Sequence, residues 1–463
     1  MELFELLPIL MFATLAILLF SGYPVAFVLG GIGLFYGFVG IIVSQSPGVE
    51  FPLFNFNQFF SLISRTWGGV AENLILVAVP MFVFMGTMLE RSGVASDLLH
   101  TLQILLRRVS GGLALAVTLM GTIFAATTGI IGASVVMMTL MALPIMLERG
   151  YYKPLATGTI AASGTLGILI PPSIMLVIMA DLMSISVGTL FMAAIFPGLL
   201  LAGLYLVYIY VRTRINPELA PPLPDEIGPE SRRELWVLII RSFLPPIFLI
   251  ALVLGSIFAG FATPTEAAGV GALGATILAI FNRKLTFSVL KDVVERTALT
   301  NAMIFGIVVG ATCFSYVYRS LGGDDLVHEF VAGMGLGPWG VLFLMMGIVF
   351  ALGFFFDWIE ITLIVLPLFT PIMKTLDFGG HIQIAGDILP WMAILLAVNL
   401  QTSFLTPPFG FALFYMKGVA PPEVRIQEIY RGIIPFVLLQ LLGLAIVIEW
   451  PAIALWLPHV ALD

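Results

Sequence analysis

Asp357 and Glu360 stand three residues apart in FFFDWIEITLIVLP (354–367), an otherwise apolar run. In a helix that spacing puts both carboxylates on one face. Carboxylates at membrane depth are costly and point to function. A local reading also stands, in which both cap a helix start and offer charge to exposed amides. The two readings are compatible, and Asp357 is the stronger candidate for a site.

Two proline pairs carry a second signal. Pro171 and Pro172 follow GTLGIL (164–169), and Pro407 and Pro408 follow QTSFL (401–405). Each proline removes a backbone donor and disfavours helix just before it. Small or hydroxylated neighbours accompany both breaks, Thr165 and Gly167 in the first and Thr402, Ser403 and Thr406 in the second. A further stretch, TTGIIGAS (127–134), supplies Gly129, Gly132 and Ser134, and can turn and expose carbonyls. Ordinary proline kinks and close packing through small residues are the plainer readings. Freed carbonyl and hydroxyl oxygens also suit a hard cation such as sodium, while helix N-termini attract an anion. The expectation is that Gly129, Gly132, Ser134, Thr165 and Gly167 serve one sodium. Thr402, Ser403 and Thr406 serve a second, with Asp357 and Glu360 at that ion or at a substrate.

Other chemistries lack their residues. Cys313 is the sole cysteine, and His100, His328, His381 and His459 are scattered, so no metal cluster is expected. The sequence contains no GxxxxGK[ST] phosphate loop and no Ser/His/Asp set, which argues against an ATPase and against a hydrolase. Neither an organic cofactor nor a nucleic-acid partner is expected. Glu266, in ATPTEAAGVGAL (262–273), is the natural capping-box partner of Thr263. Asp181, at the end of an apolar run, is read as interfacial.

The elements that must position these residues are membrane helices. Hydrophobic residues make up 60% of the 463-residue chain and charged residues only 10%, against about 25% charged in soluble domains. Apolar segments fall at 3–20, 24–44, 70–90, 111–148, 154–182 and 187–211, and again at 243–260, 264–281, 300–322, 339–375, 389–415 and 433–457. Between them a polar stretch, 212–242, forms the midpoint. Blocks of about 37 residues are too long for one crossing and barely enough for two, so 111–148 and 339–375 are read as re-entrant hairpins. The segments 154–182 and 389–415 are then broken helices.

This leaves five crossings in each half, 1–211 and 243–463. An odd number makes the second half enter from the opposite side, giving an all-α inverted repeat. Loops 91–110, 149–153, 212–241, 282–299 and 416–432 hold 17 of the 20 Lys and Arg; only Arg65, Arg319 and Lys374 lie elsewhere. Loop charge places those loops in the cytoplasm and the N-terminus in the periplasm.

Three stretches resemble one family, the large membrane subunit (DctM type) of tripartite ATP-independent periplasmic (TRAP) transporters. They are GASVVMMTLMALPIMLERGYYKPLATGTIAASGTLGILIPPSIML (132–176), FATPTEAAGVGAL (261–273) and LQTSFLTPPFGFALF (400–414). The resemblance covers essentially the whole chain. It departs at DWIEI, where the commoner form begins Asp-Pro, and in a longer connector and a longer 377–390. It implies a sodium-coupled elevator in a bacterial inner membrane, a small four-helix membrane subunit, and a periplasmic substrate-binding protein. The implied cargo is a small organic anion such as a C4-dicarboxylate, a 2-oxo or hydroxy acid, or a sugar acid. A stand-alone sodium/carboxylate symporter of similar architecture is the nearest alternative; a membrane-embedded enzyme would need more converging titratable groups than this chain offers.

Overall fold

The computed structural model describes residues 6–45, 54–128, 131–222, 231–407 and 410–462. Among them are twenty α-helices and no strand. The first half holds α1 (Leu6–Phe20), α2 (Val25–Ser44), α3 (Phe56–Thr66), α4 (Ala78–Arg91) and α5 (Val94–Leu105). It continues with α6 (Gly112–Thr128), α7 (Ile131–Glu148), α8 (Lys153–Thr165), α9 (Ile174–Met183) and α10 (Val187–Ile215). The second holds α11 (Arg232–Phe258), α12 (Pro264–Phe281), α13 (Phe287–Ser320), α14 (Gly323–Gly333) and α15 (Pro338–Leu352). It ends with α16 (Trp358–Met373), α17 (Ile388–Leu405), α18 (Phe411–Val419), α19 (Ile426–Glu449) and α20 (Ala452–Leu462).

Local chemistry sets many of these boundaries. The side chains of Asn55, Ser173, Ser186, Ser231, Thr263 and Thr286 each accept a backbone N–H at the start of a helix, relieving donors that have no partner within the helix. Thr263 and Glu266 form the expected reciprocal box at the start of α12. Gly93, at φ 80°, supplies the left-handed residue that reverses the chain between α4 and α5.

Eight described helices are long and apolar enough to cross a membrane, nine if α14 and α15 count as one span bent by 120°. The ten crossings expected from sequence include α1 and α4, only 15 and 14 residues long, and the two-piece α8–α9. Conversely α7, expected as one arm of a hairpin, has 18 residues and is long enough by itself. Stretches read as cytoplasmic loops contain helix: α5 lies within 91–110, α11 begins at Arg232, α13 at Phe287 and α19 at Ile426. In α13 the pairs Lys291–Glu295 (3.7 Å) and Arg296–Asp292 (3.0 Å) are four apart and support its polar first turns.

The broken helices occupy the centre. Every residue from Pro154 to Thr165 of α8 and from Pro390 to Leu405 of α17 is buried. Around them α11 exposes Trp236, Ile240, Leu244 and Phe248, a face suited to lipid. Packing between the halves is reciprocal: α2 lies on α13 and α12 on α4, α8 on α19 and α17 on α10. The same holds at the breaks, where α7 packs on α18 and α16 on α9.

Candidate functional site

In the first half α8 ends at Thr165, and a tight 3-10 turn at Leu166–Ile168 carries Gly167. Pro171 and Pro172, joined by a cis peptide bond, then forbid helix until Ser173 restarts it. Ser173 ties the break together, its hydroxyl donating to the Ile168 carbonyl and accepting from the Leu176 N–H at 3.5 Å. Thr165 donates to the Ala162 carbonyl at 2.9 Å. Val135 packs so closely on Gly164 that a Cβ there would come within 3.3 Å of the Val135 backbone. The buried Ser134 on α7 thus lies beside the break. Gly129 lies outside the described residues.

The second half repeats the arrangement with different side chains. Helix α17 ends at Leu405, and Thr406 is extended before Pro407, while Pro408 is outside the described residues. Thr402 donates to the Asn399 carbonyl at 2.6 Å, and Thr406 to that of Thr402 at 2.6 Å. A hydroxyl that donates in this way keeps its lone pairs for a cation. Ser403 Oγ is buried and has no hydrogen-bond partner among the described residues. It lies against Gly353 at the end of α15, and Asn399 Nδ2 donates to the Met346 carbonyl on the same helix at 2.8 Å. Each break therefore sits against the helix pair of its own half.

Asp357 and Glu360 form a capping box at the start of α16. Asp357 accepts the Trp358 N–H at 2.7 Å, and Glu360 Oε2 accepts the Asp357 N–H at 3.2 Å. The two carboxylates line different cavities. Glu360 borders an apolar cavity of about 1140 Å³ between α2, α3 and α13. Asp357 lines a cavity of about 390 Å³ at the meeting of both halves.

That central cavity is bounded by the first residues of four helices. Ile131 begins α7, Ile174 begins α9, Trp358 begins α16 and Phe411 begins α18. Unpaired N–H groups and aligned peptide dipoles make each of these ends locally positive. The Tyr415 ring lies over Gly132, where a Cβ would come within 3.1 Å of it. Glu90 and Arg296 stand at one end of the cavity. Arg296 is bonded to Asp292, which pairs with Arg91 at 2.7 Å, linking α13 to α4.

Sequence reasoning did not single out Ser173, Asn399, Gln401, Tyr415 or Arg296. Ser173 was legible as a cap, since it follows two prolines and precedes IMLVIM. Gln401, whose amide is fully buried without a partner among the described residues, was visible as a polar residue in an apolar run. Tyr415 and Arg296 reach the cavity only through tertiary packing.

The chain matches the family described as tripartite ATP-independent periplasmic transporter, DctM component, over residues 12–453. It is 32% identical over 391 residues to the C4-dicarboxylate TRAP transporter large permease protein DctM of Pseudomonas aeruginosa, covering 84% of this chain and 87% of that one. It is 30% identical over 459 residues to the ectoine/5-hydroxyectoine TRAP transporter large permease protein UehC of Ruegeria pomeroyi, covering 97% and 98%. The sialic acid TRAP transporter large permease protein SiaM of Vibrio cholerae is 27% identical over 447 residues, covering 96% of this chain and 97% of that one. The crystal structure of the Alcanivorax borkumensis YdaH transporter, said to reveal an unusual topology, shares the fold with a TM-score of 0.62 at 16% identity, over 93% of this chain and 98% of that one. These relatives are permeases rather than enzymes. With its helices long enough to span a bilayer, its central cavity and a family match over nearly its full length, the chain belongs to the DctM family, the large permease components of TRAP transporters.

Proposed function

We propose that this permease uses a sodium gradient to import small organic anions, chiefly carboxylates such as C4-dicarboxylates, 2-oxo or hydroxy acids and sugar acids. The observation that carries the reading is the convergence of four helix starts and Asp357 on one cavity. Helix N-termini favour an anion, whereas Asp357 alone would repel it. A bound sodium reconciles the two, neutralising the carboxylate while the helix ends hold the substrate. Relatives named for C4-dicarboxylate and sialic acid support a carboxylate cargo. The stand-alone symporter loses ground, because the relatives described above are all named as TRAP transporter large permeases.

In this reading 1–211 and 243–463 are inverted repeats joined by 212–242, and the reciprocal packing of the halves supports it. The hairpins and broken helices form a body that slides against α2, α4, α12 and α13. The Glu90–Arg296 end of the cavity then faces the cytoplasm of a bacterial inner membrane. A small four-helix subunit and a periplasmic binding protein complete the transporter. The test is uptake into liposomes holding permease and small subunit, with binding protein outside and an imposed sodium gradient. Uptake undiminished without sodium, or dependent on ATP, would overturn the proposal.

A further inference from the structure

A second cavity, of about 590 Å³, lies further along α13. Thr300, Met303 and Ile304 line the central cavity; Ala311, Ser315 and Arg319 line this one. Steps of three and four residues keep them near one face of the helix. Helix α16 does the same, with Asp357 at the first cavity and Leu363 and Pro367 at the second. The two cavities are stacked along one groove between α13 and α16.

The charges in the second cavity are unusual for this chain. Only three Lys or Arg lie outside the five basic loops, and two of them, Arg65 and Arg319, meet here from opposite halves. The Arg65 guanidinium lies 5.6 Å over the ring of Tyr316. That ring is fixed, since its hydroxyl donates to the Gln58 carbonyl at 3.1 Å and lies 2.7 Å from Ser61 Oγ. Arg65 has no carboxylate partner among the described residues. Arg319 donates to the Pro367 carbonyl at 2.6 Å, and Asp324 flanks it at 3.6 Å. The one carboxylate lining the cavity, Asp181, accepts from Asn73 Nδ2 at 2.8 Å.

We propose that this cavity is a carboxylate-binding subsite in which Arg65 and Arg319 take up a small organic acid before it reaches the central cavity. Guanidinium forks match carboxylates bidentately, and the volume falls in the range of small-molecule pockets. A concave site lined by α3, α9, α13 and α16 suits a free organic acid better than an acidic side chain on a docked protein. Its role ahead of the central cavity rests on the import reading, but carboxylate binding itself does not.

The test uses the purified permease with its small subunit in nanodiscs, labelled with the arginine reagent phenylglyoxal and read by peptide mass spectrometry. Acetate, pyruvate and succinate serve as probes, each with and without sodium, and succinamide as the uncharged control. At least one carboxylate should slow labelling of Arg65 and Arg319 by about tenfold at saturation, as bidentate pairing masks the fork. Succinamide should not, and Arg232 and Arg233 should label equally throughout. Arg65→Gln should remove most of the protection at Arg319. Lack of protection by all three acids overturns the proposal. So does protection of Arg65 only when binding protein is added without acid, which would make this a protein-docking surface. Protection that persists in a permease showing no sodium-driven uptake would sink the transport reading and leave the subsite standing.

Discussion

The Arg319 guanidinium donates to the carbonyl of Pro367 at 2.6 Å. In an unbroken helix that carbonyl would accept from residue 371, but residue 371 is also a proline and has no N–H. The paired prolines of α16 thus expose an acceptor, and a side chain from α13 satisfies it. A bond normally internal to one helix becomes a bond between two.

Arg319→Ala should therefore destabilise the protein by about 1 kcal/mol, the cost of leaving a buried acceptor without its donor. In a Pro371→Ala background the helix supplies its own N–H, and the same substitution should cost almost nothing. Thermal unfolding of the four proteins of this cycle measures the coupling; equal effects of Arg319→Ala in both backgrounds would refute it.

Asp357→Asn removes a charge but keeps an N-cap, since asparagine caps a helix about as well as aspartate. Folding should be nearly unchanged, while the sodium concentration for half-maximal uptake rises. Thr402→Val should raise it too. A normal sodium curve for Asp357→Asn would remove Asp357 from the ion site and leave it to backbone and hydroxyl oxygens.

Helices α8 and α19 touch backbone to backbone where Gly158 faces the Gly432 carbonyl and Gly432 faces that of Pro154. Gly158→Ala should cost about 1–3 kcal/mol by forcing the helices apart. Gly203→Ala, with open space around it, should leave the melting temperature alone.

Glu266 accepts from both the backbone N–H and the hydroxyl of Thr263 at 2.8 Å. Glu266→Gln should lower thermal stability slightly and leave the sodium curve unmoved. A shift in sodium half-saturation without a stability change would assign Glu266 a role in ion binding.

A reporter active only in the cytoplasm should give signal when fused at Pro222, within the basic connector. A silent fusion there, with a periplasmic reporter active at the same site, would reverse the orientation.

Much of the scaffold was legible because apolar runs and helix punctuation coincide. The run 111–148 became α6 and α7 with outer ends at Gly112 and Glu148, and the ATPTE motif became the capping box of α12. Residues 282–299 were read as loop because their charge suggested solvent, yet charges spaced four apart also support a helix. The separation of Asp357 from Glu360 could not be read, since their spacing fixes a helix face and not what packs against it. The same limit hid the stacking of Arg65 on Tyr316, which joins residues from opposite halves.

The reciprocal seating of α7 on α18 and α16 on α9 makes each half the bearing surface of the other. A shift of one hairpin moves the support beneath the opposite broken helix, so neither can be rearranged alone. Filling one oxygen cluster would stiffen the seat of its counterpart and lower the entropy lost when the second is filled. Under the two-sodium expectation, ions bound far apart in sequence would load as a cooperative pair, with a steeper dependence on concentration than either cluster would show by itself.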